Sequence, residues 1–237
     1  MVDPADLDSE LRALDASDWP AYLESRSGLP GPRANLTLVG AVARTADDAV
    51  VDALLVDGRE FVTMCAAAAV ARCADRPDAE ARARSLAADD RWRVREGVVI
   101  GMQLLGDEST AAVIDIVERW ADDPDLLVVR AAAAAICEPR LLRDEHARSC
   151  AVEVCGRCTA RLLAVPVAGR KDPSVRTLRQ ALGYCWSVAV AAAPETGLAA
   201  FRSLPRDDAD VDWIVRENRK KKRLRAVLGG EDGAGSA

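Results

Sequence analysis

Asp89-Asp-Arg-Trp-Arg-Val-Arg95, Asp122-Asp-Pro-Asp-Leu-Leu-Val-Val-Arg130, Asp172-Pro-Ser-Val-Arg-Thr-Leu-Arg179 and Asp210-Val-Asp-Trp-Ile-Val-Arg216 share one pattern. Each opens on an acidic turn, places a bulky apolar residue about one helical turn later, and sets an arginine directly after a Val or Leu. The arginines Arg95, Arg130, Arg179 and Arg216 recur at intervals of 35, 49 and 37 residues. That period belongs to repeated helix pairs.

Working outward, the apolar spacing and the Asp-containing turns predict helices on both sides of each such turn. The first helices of the pairs fall at Ala46–Val56, Asp78–Ala88, Ser109–Ala121, His146–Val165 and Pro194–Leu204. The second, more apolar helices fall at Arg59–Cys73, Arg91–Leu105, Pro124–Cys137, Pro173–Ala191 and Val211–Leu228. An unpaired apolar helix, Pro32–Arg44, precedes the set. Residues 1–31 form a helical cap, with Leu7, Leu11 and Leu14 on one stripe and a second helix starting at Ser17-Asp18-Trp19-Pro20. Gly28-Leu-Pro-Gly-Pro32 then breaks the chain. The tail Gly229–Ala237, rich in Gly, Ser, Asp and Glu, is expected to be disordered.

Composition agrees with helix throughout. The chain has 237 residues, half of them hydrophobic, and glycine (15) and aromatics (4%) are too sparse for a β-rich fold. Alanine is abundant and favours helix. The stretch Ala181–Pro194 is uncharged over 14 residues, short of the roughly 20 that a membrane span needs. The start, Met1-Val-Asp-Pro-Ala-Asp-Leu-Asp-Ser-Glu10, is acidic where a secretory signal is basic and then apolar. Seven cysteines, an odd number, fit reduced thiols in a cytosol. The expectation is a soluble, cytoplasmic protein with no membrane contact.

The repeated turns and arginines make residues 33–228 similar to a HEAT-repeat protein. The segment Asp212-Trp-Ile-Val-Arg-Glu-Asn-Arg-Lys-Lys-Lys-Arg-Leu224 resembles the last helix of bacterial proteins of this kind. The resemblance implies an all-α fold: an α-solenoid of about five antiparallel helix pairs, one domain over residues 1–228. It also implies a curved scaffold that binds a protein partner through its inner face, usually without catalysis. A minority of such proteins resemble HEAT-like alkylpurine DNA glycosylases, which hold duplex DNA in the concave face. Physics gives independent support to the repeat. One helix pair of this length cannot bury its own apolar stripe, and Ala66–Ala69 and Ala131–Ala135 suit close helix contacts.

Two sets of cations are candidate binding residues. Arg95, Arg130, Arg179 and Arg216 either line an inner face as a ladder for carboxylates or phosphates, or staple each repeat to its turn acids. The aspartates that accompany every copy favour staples. The run Arg216–Arg225 includes Arg216, Arg219, Lys220, Lys221, Lys222 and Arg223, and holds three of the chain's four lysines. It is either a nucleic-acid patch or the solvated face of a terminal helix, with Trp213, Ile214, Leu224 and Val227 packing inward. A net charge of −6 weighs against a polyanionic partner.

No cofactor or metal is expected. The single histidine, His146, stands with Cys150, Cys155 and Cys158 at a tempting ligand spacing. Their surroundings read as one continuous helix, which cannot wrap three thiols around one ion, so these are core cysteines. Trp120 with Asp122 and Asp123 could be cast in glycosylase-like roles, but Trp92 and Trp213 occupy equivalent repeat positions and are expected to be core or inter-repeat packing residues.

Overall fold

The computed structural model describes residues 4–31 and 33–234, and these form helices joined by turns, with no strand among them. The helices are α1 (Pro4–Arg12), α2 (Trp19–Ser25), α3 (Leu36–Thr45), α4 (Asp48–Asp57), α5 (Glu60–Arg72), α6 (Pro77–Ala87) and α7 (Trp92–Glu108). They continue with α8 (Thr110–Trp120), α9 (Leu126–Ile136), α10 (Glu145–Leu163), α11 (Pro173–Ala192), α12 (Pro194–Arg202), α13 (Ala209–Arg219) and α14 (Lys222–Ala234). A short 3-10 turn, Val167–Gly169, lies between α10 and α11. All-α is therefore the observed class.

Most helices lie where the sequence places them, and two segments differ. The helix expected over Val211–Leu228 is broken into α13 and α14 at Lys220–Lys221. Helix α14 also continues to Ala234, into the segment expected to be disordered, whose residues 235–237 lie outside the described ones. Residues 1–3 of the expected cap and Pro32, the expected start of the unpaired helix, lie outside them too. That helix, α3, begins at Leu36, where the Asn35 side chain accepts the Leu38 N–H at 3.1 Å.

One joint recurs ahead of α5, α7, α9, α11 and α13. At each, an aspartate carboxylate accepts the N–H two residues on: Asp57 from Arg59 (3.2 Å), Asp89 from Arg91 (2.8 Å) and Asp123 from Asp125 (2.8 Å). Asp172 accepts from Ser174 (2.8 Å) and Asp208 from Asp210 (3.0 Å) in the same way. A side-chain oxygen that closes the turn locally also satisfies a donor that a helix start leaves without an intrahelical partner. This is why acidic residues punctuate the chain.

The chain divides into two compact units, Met1–Ala112 and Val113–Ala237. In the first, α5 packs against both α3 and α7, with α4 and α6 also against α5. Residues Phe61–Ala71 of α5 are all buried, as a helix apolar on every side must be. Its seam with α7 brings backbone against backbone: a Cβ on Gly97 would lie 2.3 Å from the Met64 carbonyl oxygen, and one on Gly101 2.3 Å from that of Ala68. The Ala66–Ala69 run supplies the small residues that such an approach requires. Arg44 ties α3 to α1 through a two-pronged contact with Asp8 at 3.0 and 2.8 Å.

In the second unit α11 packs against α9, α10, α12, α13 and α14, and α10 packs against α9 and α12. Trp186 of α11 is buried, and its indole N–H donates to the Thr159 hydroxyl of α10 at 3.1 Å. Among the described residues, no helix is long and apolar enough to cross a membrane.

Candidate functional site

The recurring arginines are held by the framework. Arg95 reaches back over the α6–α7 turn and donates to the Asp89 and Asp90 carbonyl oxygens at 2.6 and 2.8 Å. Arg179 donates to Asp210 at 2.7 Å while its guanidinium lies 4.8 Å from the Trp213 ring centre. Arg130 is half-buried on α9 and engaged in polar contact. Arg216 pairs with Asp212 one helical turn earlier, at 3.1 Å, and is exposed.

Other arginines reach partners 30 to 40 residues away in sequence, on another helix or in the turn beside one. Arg82 meets Asp52 at 2.6 Å, Arg93 meets Glu60 at 2.9 Å, Arg72 pairs with Glu108 and Arg157 with Asp122. Arg170 is the most enclosed of this set. It contacts Asp208 at 3.3 Å and Asp210 at 3.0 Å, and donates to the Leu163 and Val165 carbonyl oxygens at 3.1 and 2.7 Å. Burial works to raise the Asp210 carboxyl, but hydrogen bonds from Arg179 and Arg170 outweigh it and hold the group below the ordinary carboxylate range. The Arg91 guanidinium does the same for Asp89, and that of Arg157 for Asp122.

Cys150, Cys155 and Cys158 lie on the one helix α10, and all three are buried. What the spacing concealed is a meeting across helices: the Cys155 Sγ lies 3.6 Å from that of Cys137 at the end of α9. Cys158 contacts the Val129 carbonyl oxygen at 3.4 Å. Burial pushes the Cys150 thiol up to about 12. Cys155 rises to about 11, burial and the other thiols outweighing the hydrogen bond with Cys137. Groups this far from ionising at neutral pH are poor nucleophiles. Among the described residues, no group of three or more His, Cys, Asp or Glu is arranged to hold a metal ion.

The tryptophans divide differently from expectation. Trp120 is buried, Asp122 is committed to Arg157, and Asp123 closes the turn before α9. Trp213 packs on Gly183 of α11. Trp92, expected between repeats, is instead 54% exposed, with the Arg93 guanidinium 4.7 Å from its ring centre. It is the first residue of α7.

The C-terminal cations sit at the break between α13 and α14. The break follows Asn218, a fully buried residue inside the charged run. Its amide nitrogen donates to the Leu182 and Ile214 carbonyl oxygens, both at 2.8 Å, and its oxygen accepts the Ser187 N–H at 2.7 Å. Those bonds pin the end of α13 to α11, and the chain turns at once so that Leu224 is also buried. The turn brings Lys221 and Arg223 around Tyr184 of α11. The Lys221 ammonium is 5.7 Å and the Arg223 guanidinium 4.8 Å from the ring centre, and Arg223 donates to the phenolic oxygen at 2.9 Å. Tyr184 remains 43% exposed.

Beside this cluster runs a groove of 430 Å³, lined by Pro139, Leu142, Val188, Ala191, Ala192 and Arg223. Lys220 pairs with Glu217 at 2.5 Å. Among the described residues, no carboxylate pairs with Arg219, Lys221, Lys222, Arg223 or Arg225. Residue-type reasoning identified the cations but missed Tyr184 and Asn218. The stripe Val211, Ile214, Val215, Asn218 on the buried face of α13 was the available signal for Asn218. Comparison of the chain with protein families, curated proteins and solved structures gives no match.

Proposed function

We propose that this chain is a non-catalytic helical-repeat scaffold of the HEAT type, about five stacked helix pairs holding a protein partner on a curved inner face in the cytosol. The observation that carries the reading is the aspartate-closed joint repeated at Asp57, Asp89, Asp123, Asp172 and Asp208, each ahead of a helix that buries apolar residues against its neighbours. Arginines bridging helices 30 to 40 residues apart support it further, since contacts at one repeat's distance are what stacked units make. Side chains spent in this way are framework rather than chemistry.

A DNA-associated role, including that of a HEAT-like alkylpurine glycosylase, draws on one observation: the cations of Arg219–Arg225 that lack a carboxylate. Affinity capture of the tagged full chain from a lysate, with and without nuclease, separates the two. The scaffold reading expects the same protein recovered at comparable stoichiometry in both arms. Recovery only without nuclease, or none in either arm, overturns it.

A further inference from the structure

We propose that Tyr184, Lys221, Lys222 and Arg223, with the groove beside them, dock an acidic extended segment of a partner protein through one apolar anchor side chain. The inference rests on the scaffold reading and deepens it by naming the surface and the chemistry of what binds there.

Three observations combine. First, the cations here differ from most arginines of the molecule, which meet carboxylates or backbone carbonyls of their own framework. Lys221, Lys222 and Arg223 form no ion pair among the described residues, although Lys221 acts from a distance to help Lys220 hold the Glu217 carboxyl low, in a chain with 38 acidic against 32 basic residues. Positive charge with no described carboxylate in contact, on a protein otherwise negative, is a steering surface for anions. Second, the cluster is positioned, because Asn218 and Leu224 are fully buried on either side of the break and Arg223 is tied to the Tyr184 hydroxyl. The cations therefore give up less freedom on binding than free surface chains do.

Third, the adjoining groove is aliphatic, with Arg223 on its rim. Anchors of docked peptides fill apolar pockets next to charges that read the flanking residues. This lining favours a peptide over a nucleic acid. Single strands need successive aromatic platforms, and here one tyrosine stands with two cations already around its ring.

The test uses the full chain and a labelled ten-residue peptide of alternating Asp and Glu with one central Leu, followed by fluorescence anisotropy. Three comparison probes are the same peptide with Leu replaced by Ser, its Asn/Gln counterpart, and an oligo-dT of matched charge. We expect saturable binding of the acidic Leu peptide, weakened roughly ten-fold by moving from low to moderate salt. Lys221→Glu with Arg223→Glu should weaken it at least roughly ten-fold, and the Ser peptide should bind several-fold more weakly than the Leu peptide. Circular dichroism and melting of the double variant establish that it is folded, and Lys221→Gln with Arg223→Gln is the milder alternative. Equal binding by the charge-reversed variant, no saturable binding, or tighter binding of oligo-dT than of the acidic peptide each overturns the proposal. If the partner captured from lysate is retained by the charge-reversed variant, this surface is refuted while the scaffold reading survives.

Discussion

Replacing Arg170 with Ala removes the most enclosed ion-pair node of the second unit. The side chain is 13% exposed and that of its partner Asp210 15%, so solvent does little to screen the interaction. Truncation takes a partner from two carboxylates, at 3.3 and 3.0 Å, and a donor from two carbonyl oxygens near the end of α10, at 3.1 and 2.7 Å. Removing one partner of a fully buried pair costs about 3 to 5 kcal/mol, and losing an exposed pair less than about 1 kcal/mol. Asp210 keeps its 2.7 Å bond from Arg179, which places the expected loss between these limits, at about 2 to 3 kcal/mol. For a chain of this size that lowers the melting temperature by roughly 5 to 10 °C. Thermal and urea melts followed by far-UV circular dichroism measure it, with the exposed Arg176→Ala as a control expected to stay near wild type. Arg170→Lys keeps the charge without the planar fork and should fall between. A melting point for Arg170→Ala within about 1 °C of wild type would refute the reasoning.

Arg95→Ala loses two charge-assisted bonds to the Asp89 and Asp90 carbonyls and should cost about 1 to 2 kcal/mol; an unchanged or raised melting point would show that Arg95 staples nothing. Gly101→Ala puts a methyl 2.3 Å from the Ala68 carbonyl oxygen and should destabilise by about 2 kcal/mol or more, whereas Gly156→Ala meets nothing within 4 Å and should stabilise by about 0.5 to 1 kcal/mol. Equal effects in the two glycine variants contradict the described seam. Thiol labelling of the native protein should modify the partly exposed Cys73 first and reach Cys65 and Cys137 only on unfolding; early labelling of Cys137 counts against its burial. Asp89, Asp122 and Asp210 are depressed in the folded state. Their contribution is therefore complete above the unfolded carboxylate value of about 3.9 and is lost as pH falls through their lower folded values. Urea midpoints should decline below about pH 4, and a rise there contradicts the sign.

Helix positions were legible because apolar spacing and turn residues are local signals. Asp-Pro and paired aspartates marked the joints ahead of α9 and α11, and the starts of α5, α7 and α9 fall within two residues of the expected positions. Less legible was anything set by one side chain reaching a distant element. Asn218 sits among Arg and Lys residues and was not singled out, yet its bonds to α11 hold the end of α13 where the expected terminal helix breaks. Trp92 matched Trp213 in the repeat pattern, but position in a motif does not fix burial, and the two rings have different surroundings. The arginines were read as partners of the turn acids. Arg179 is one; Arg95 takes the carbonyls of its turn and also helps Arg91 hold the Asp89 carboxyl low, and Arg170, which no pattern singled out, pairs with Asp208 and Asp210. In the candidate site the cations were visible as a run, while Tyr184 and the groove came from helices that only the fold brings together.

The aspartate joints have a consequence for how such a chain can change length. Each closes on an N–H two residues away, so its geometry is fixed within a few residues and does not depend on how long the preceding helix is. Intervals between successive joints are 32, 34, 49 and 36 residues, from Asp57 through Asp89, Asp123 and Asp172 to Asp208, and the bond to the N–H two residues on is kept across the long interval as across the short ones. A segment can therefore be lengthened, duplicated or exchanged between two such aspartates while each helix still starts from its own locally closed corner, three residues after the aspartate at α5, α7 and α9 and directly after it at α11 and α13. In engineering terms these corners are splice points, and a cut made just ahead of one delivers its own hinge to whatever follows.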